Sequence, residues 1–146
     1  MNTKFILNVD VPGEMGGNTI IDNRFNPNKV YHLHLVFDQY PDDIFKCSPV
    51  YIVSESLYNS VIDLGLSGLH NARLISYSLN DNHYQTIQHD GKIPTQNYFM
   101  VDINENGEED FSLIRINDLI RLCVSDRAFR LLSSFNIDNA DISELK

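Results

Sequence analysis

Two stretches of this chain read alike. "VYIVSESLYNSVIDLGLSG", Val50 to Gly68, is followed much later by "LCVSDRAFRLLSSFNIDN", Leu122 to Asn139. In each, an apolar run of strand type ends on a Ser, an acid follows, and apolar residues then recur at helical spacing. The paired positions Val53 and Val124, Ser54 and Ser125, Glu55 and Asp126, Tyr58 and Phe129, and Leu66 and Ile137 all stand 71 apart. Ser followed by an acid is also a common way to begin a helix. Two readings therefore stand, chance similarity of boundary signals and an internal pseudo-repeat, and the constant offset favours the second.

The signals predict each unit in detail. Ser54 accepts from the free amides of a new helix, Glu55 sits at its positive end, and Leu57, Tyr58, Val61, Ile62 and Leu64 form the apolar stripe. Gly65 supplies a left-handed stop. In the later unit Ser125 caps, Asp126 is the first-turn acid, and Ala128, Phe129, Leu131, Leu132 and Phe135 form the stripe. Asn136, the next-best residue for a left-handed conformation, is expected to end that helix.

Strands are predicted around these units. "KFILNVDV" opens the chain and the Pro12 to Gly17 run reads as a flexible loop. "VYHLHLVF" alternates with the period of a strand facing a core on one side, "RLISYSL" returns after the first helix, and "NYFMVDI" supplies another strand. "FDQYPDDIFKCSP" reads as a polar, Pro-broken link. The expected fold class is α+β, a largely antiparallel sheet packed by two main helices, in one domain spanning residues 1–146.

A chain with 42% hydrophobic and 10% aromatic residues has enough apolar surface to offset chain entropy. Eleven Lys and Arg against twenty Asp and Glu give a net charge of −9, which disfavours nucleic acid and favours a basic partner. The opening residues lack the apolar stretch of a signal peptide or membrane span, so a cytoplasmic protein without membrane contact is expected. Cys47 and Cys123 belong to no CxxC and are expected as reduced, partly buried thiols.

Catalytic signals are sparse. No GxSxG, SxxK or Lys-bearing phosphate loop is present, and no catalytic residue, cofactor or metal is assigned. "DINENGEEDFSL" matches the first half of a calcium loop at Asp102, Asn104, Asn106 and Gly107, but its twelfth position is Leu113 where a bidentate Glu is required, so it reads as an acidic turn. His32 and His34 share a strand face with Asp38 in phase, yet nothing close in sequence completes a ligand set, and they read as solvent-side histidines. Three acidic clusters remain, Asp42 with Asp43, Asp102 to Asp110, and Asp138 to Glu144, near the aromatics Tyr40 and Phe111. Acidic rims around aromatic anchors suit rapid, tight binding of a basic protein. Tyr40, Asp42, Asp43, Glu105, Glu108, Glu109 and Asp110 are the candidate contact residues.

Four segments carry a family resemblance: "PDDIFKCSPVYIVSESLYNSVIDLGLSGL", "YFMVDI", "GEEDFSL" and "LCVSDRAFRLLSSFNIDNADISEL". Together they resemble small bacterial proteins that accompany polymorphic toxins and are read as immunity proteins. The resemblance spans about Asp38 to Leu145, and its closing segment, from Val124 through Ile142, is the most specific part. It implies a non-catalytic cytoplasmic partner that binds and neutralises one cognate toxin domain. The chain departs from that pattern at Gly68, Leu69, His70 and Asn71, and has Tyr98 and Phe99 where Trp is frequent. The family's motifs are core and helix-boundary residues, so no functional residue transfers by position. The alternatives are a small metal- or calcium-binding enzyme or sensor using His32, His34 or the Asp102 loop, and a subunit that self-associates through an edge strand.

Overall fold

The computed structural model of the protein describes residues 3–25, 29–105 and 108–145. Strands β1 (Lys4–Asn8), β2 (Gly13–Met15), β3 (Ile20–Asp22), β4 (Lys29–His32), β5 (His34–Phe37), β6 (Ile44–Cys47) and β7 (Val50–Ser54) lead into helix α1 (Glu55–Asp63). Then follow β8 (Leu69–Leu74), β9 (Ser76–Leu79), a 3-10 turn at Asp81–His83, β10 (Tyr98–Ile103), β11 (Phe111–Ile116) and β12 (Leu119–Ser125). Helix α2 (Asp126–Leu132) and β13 (Asp141–Glu144) complete the order.

The α+β class and the antiparallel preference hold, but the strands divide among several sheets instead of one. Two four-stranded sheets have the orders β6-β7-β10-β8 and β11-β12-β1-β13, and every pairing within them is antiparallel. A third sheet, β2-β5-β9, contains the parallel pair β5–β9, and β3–β4 forms a separate ribbon. The loop expected after β1 therefore includes β2, and the expected polar link contains β6. Each was disguised by short length and by flanking Pro or Gly.

Both helices begin where the sequence places them. Leu57 N–H donates to Ser54 Oγ at 3.2 Å and Ala128 N–H to Ser125 Oγ at 3.2 Å, satisfying amides that have no partner inside a helix. Each helix buries only a narrow part of its stripe: Leu57 and Val61 from α1, Ala128 and Leu132 from α2. Ile62 and Leu64, expected on the core face, are each 57% exposed. Ile62 follows the buried Val61 by one position, about 100° around the helix and off the face that Leu57 and Val61 share, and Leu64 is the C-cap beyond the last turn.

The two exits differ. Gly65 takes φ +65 as expected. Asn136 is absent from the residues with positive φ, and α2 closes through Ser133 in a right-handed conformation. The expectation of a left-handed Asn136 is corrected: its φ is not positive, and its backbone N–H and carbonyl are both bound to Asp43.

Two cores follow from the layering. One contains Leu7, Val53, Leu57, Val101, Phe111, Leu122, Val124 and Leu132, from both four-stranded sheets and both helices. The other contains Leu35, Phe37, Phe45, Ile52, Tyr98 and Met100, on the opposite face of β6-β7-β10-β8. Strand β7 consequently sends Tyr51 and Val53 to one core and Ile52 to the other, which explains its unbroken apolar run. Cys47 and Cys123 are buried free thiols. Burial pushes both thiols up from their ordinary value, so they are unreactive fillers. No helix among the described residues is long and apolar enough to cross a membrane.

Candidate functional site

The acidic side chains selected from the sequence do not form one surface. Asp42 and Asp110 are buried, at 0% and 7% exposure, and so is Phe111. Their expected place on a solvated contact rim is corrected: these carboxylates are acceptors for backbone and side-chain donors brought from distant parts of the chain.

Asp110 is the more heavily engaged. Its carboxylate accepts from Ser67 N–H at 2.9 Å, Ser125 Oγ at 2.6 Å, and Arg127 Nε and Nη2 at 2.9 and 2.7 Å. The Arg127 bonds hold its carboxyl well below the usual carboxylate range, and those from Ser125 and Ser67 act in the same direction against the opposing effect of burial. Its backbone carbonyl accepts from Ser125 N–H, and Phe111 N–H donates to Ser67 carbonyl. Asp110 thus ties the start of β11, the cap of α2 and the exit of α1 into one knot.

Asp43 does a related task at the other unit. Its carboxylate accepts from Asn136 N–H at 2.7 Å, its N–H donates to Asn136 carbonyl at 2.8 Å, and its carbonyl accepts from Ser54 N–H at 2.8 Å. Next to it, Asp42 accepts from Asn139 N–H at 3.0 Å and Asn139 Nδ2 at 3.2 Å. Asp43 and Asp110 therefore each fasten the cap of their own helix and the exit of the other one.

Asp42 is set up differently from Asp110. Burial pushes its carboxyl up to about 6, and the nearby charges of Asp10 and Asp138 add to the rise while the Asn139 bonds oppose it. With the folded value above the ordinary 3.8, the protonated form is favoured by folding. That contribution is complete below about pH 4 and is lost as pH rises through about 6. Asp42→Asn is therefore expected to be more stable than the wild type at pH 7.5, by about 1 kcal/mol, since the amide keeps an acceptor for Asn139 N–H without a buried charge. The gain should shrink toward zero at pH 4.5. Urea melts of both proteins at the two pH values measure it, and an equal difference at both would refute the assignment.

The remaining candidates lie apart. Tyr40 is half-buried and packs against His89 with ring centroids 5.2 Å apart and the planes tilted by 34°, beside Asp138. Glu105 is exposed, 3.7 Å from Arg115, and lies at the rim of a cavity of about 570 Å³ lined by Tyr51, Val101, Leu113 and Ile120. Glu108 lines a different cavity beside Arg127 and Arg130, and Glu109 lies 3.5 Å from His70. In the calcium-like turn, Asp102 already accepts from Arg73 and Asn71, at 2.8 and 3.1 Å; Asn106 and Gly107 lie outside the described residues. Among the described residues no three His, Cys, Asp or Glu side chains cluster as metal ligands.

One constellation was not visible in the sequence. His34 Nδ1 lies 2.8 Å from Ser76 Oγ, its Nε2 lies 3.1 Å from Ser78 Oγ, and His32 Nε2 lies 3.4 Å from the same Ser76 Oγ. His32 and His34 are half-buried, which corrects their reading as freely solvated side chains. The parallel register His34↔Ser76 and Val36↔Ser78 makes this possible. Only the shared period of two in "HLH" and "SYS" could have hinted at it, and nothing local indicates that those strands are neighbours.

No protein-family model matches this chain, and neither a curated protein nor a solved structure does.

Proposed function

We propose that this protein is a non-catalytic binding protein of the immunity type, which neutralises a basic toxin domain in the cytoplasm of the producing cell by protein–protein contact. The observation that carries the reading is the place of the resembling segments. "PDDIFKCSPVYIVSESLYNSVIDLGLSGL" supplies β6, β7 and α1, and "GEEDFSL" with "LCVSDRAFRLLSSFNIDNADISEL" supplies β11, much of β12, α2 and β13. The residues that make those segments recognisable are cap, core and latch positions. The scaffold is thereby separated from exposed acidic positions that are free to specify a partner.

The pseudo-repeat belongs to the same proposal. Support comes from the two sheets, in which a hairpin leading into a helix, a strand from elsewhere and the strand after that helix stand in the same order, β6-β7-β10-β8 and β11-β12-β1-β13. Tyr58 packs on Phe99, with centroids 5.5 Å apart, as Phe129 packs on Phe5 at 4.1 Å. Phe99 and Phe5 occupy matching places, opposite Val53 and Val124.

The test is a pull-down from the native host with this chain as bait, then calorimetric titration of the single protein recovered. Charge reversal is confined to exposed positions, Glu105→Lys with Glu108→Lys, because a lysine at the buried Asp42 or Asp110 would disturb the fold. A basic partner is expected at nanomolar affinity or better, weakened about tenfold or more by the double reversal and more sensitive to salt than to either His. Failure to recover any protein partner would sink the reading. Undiminished affinity in the reversed variant would exclude these two acids from the contact.

A further inference from the structure

The chain Ser78–His34–Ser76–His32 is better organised than a solvated strand face needs. The His34 backbone is clamped by the β2–β3 connection, with its N–H donating to Thr19 Oγ1 and its carbonyl accepting from Gly16 N–H and Thr19 Oγ1. The imidazole lies where a side chain at residue 16 would stand, since a Cβ there would come within 2.6 Å of His34 Cδ2. Ser78 then holds Nε2, so the ring is fixed in position and rotation with Nδ1 directed at Ser76. His32 reaches the same hydroxyl from the preceding strand. Two imidazole nitrogens thus converge on one point from one side of the sheet, and the Ser78 hydroxyl on the far nitrogen of His34 orients that ring, as such partners do at metal sites.

The geometry points to a two-histidine site for a late first-row divalent cation, with His32 Nε2 and His34 Nδ1 as ligands and Ser76 Oγ displaced from the position the ion takes. Imidazole pairs suit Cu²⁺, Ni²⁺ and Zn²⁺ and discriminate against Mg²⁺ and Ca²⁺, which require oxygen ligands. Protein ligands occupy two positions and water the rest. The net charge of −9 favours a cation, and the site is independent of whether a toxin binds elsewhere.

Titration of the full chain by calorimetry with CuCl₂, NiCl₂ and ZnCl₂ tests this, with MgCl₂ and CaCl₂ as contrasts. One equivalent should bind, Cu²⁺ tightest, and long-range ¹⁵N spectra should show the ring nitrogens of His32 and His34 shifting together. Either His32→Asn or His34→Gln should weaken binding about a hundredfold, the loss expected when a two-point attachment becomes one-point. His34→Gln keeps an amide within reach of Ser76 and Ser78, so its melting midpoint without metal reports whether the fold is intact. Gly16→Ala retains every ligand but displaces the His34 ring from Ser76 and Ser78, and should weaken metal binding at some cost to the metal-free midpoint. His83→Gln, on the 3-10 turn, should change nothing. Stoichiometric binding that survives loss of both His32 and His34, equal loss in His83→Gln, or no binding of any of the three ions would overturn the proposal.

Discussion

Asp110→Asn should lower the unfolding free energy at pH 7 by about 3 kcal/mol, a fall of roughly 10 °C in melting midpoint for a domain of this size. The substituted amide has one acceptor oxygen, whereas the carboxylate accepts at both. Its NH₂ would face either Ser67 N–H and Arg127 Nη2 or Ser125 Oγ and Arg127 Nε, placing donor against donor in a buried site. The three partners do not contribute equally. Arg127 has a side chain 61% exposed, so Arg127→Ala should cost only about 1 kcal/mol, the range of solvent-screened pairs. The Ser67 and Ser125 bonds are internal and should dominate. With the folded carboxyl held below its ordinary value of 3.8, this stabilisation is present above that value and lost as pH falls below it. The variant and the wild type should therefore converge in acid. Urea melts at neutral and acid pH decide the matter, and a neutral-pH loss no larger than that of Arg127→Ala would show the knot to be an ordinary surface pair.

Gly68→Ala should be at least as damaging, about 3 kcal/mol or more. Gly68 sits at φ +110, and a Cβ there would meet the Phe111 carbonyl oxygen at 1.9 Å. The obstacle is backbone that also carries the Phe111 N–H to Ser67 carbonyl bond at 3.0 Å, so neither side yields without breaking the α1 exit away from β11. Gly65 supplies the contrast. It has φ +65 with nothing within 4 Å of a built Cβ, so Gly65→Ala should cost about 1 kcal/mol, the strain of a left-handed residue alone. Equal losses at the two glycines, measured by chemical denaturation, would show that close approach at Gly68 carries no energy.

Both predictions concern the same joint, where the exit of one helix meets the entry to the other unit. Contacts of this kind join residues 43 apart, as Ser67 and Asp110, and 93 apart, as Asp43 and Asn136. Their arrangement also bears on the proposed function. With Asp42, Asp43 and Asp110 occupied in joining the two units, the charged contact proposed above would fall to exposed acids such as Glu105, Glu108 and Asp138, which lie beside different cavities.

The sequence by itself determined what depends on neighbouring residues. Ser54 and Ser125 cap helices because a hydroxyl three positions before a free amide reaches it whatever the rest of the chain does. Gly65 turns left-handed because it lacks a Cβ, and Leu57, Val61, Ala128 and Leu132 face inward because the helical period sets their side. Local rules could not reach the places where a partner from far along the chain changes a residue's role. Asp42 and Asp110 looked like solvated acids and became buried acceptors, and Asn136 looked like a helix stop and became the partner of Asp43. His34 looked solvent-side until β9 brought Ser76 and Ser78 beside it, across 42 and 44 residues. Polar residues carry the same local pattern in water and in a latch. The distinction is the presence of the donor, and only strand order and register place it.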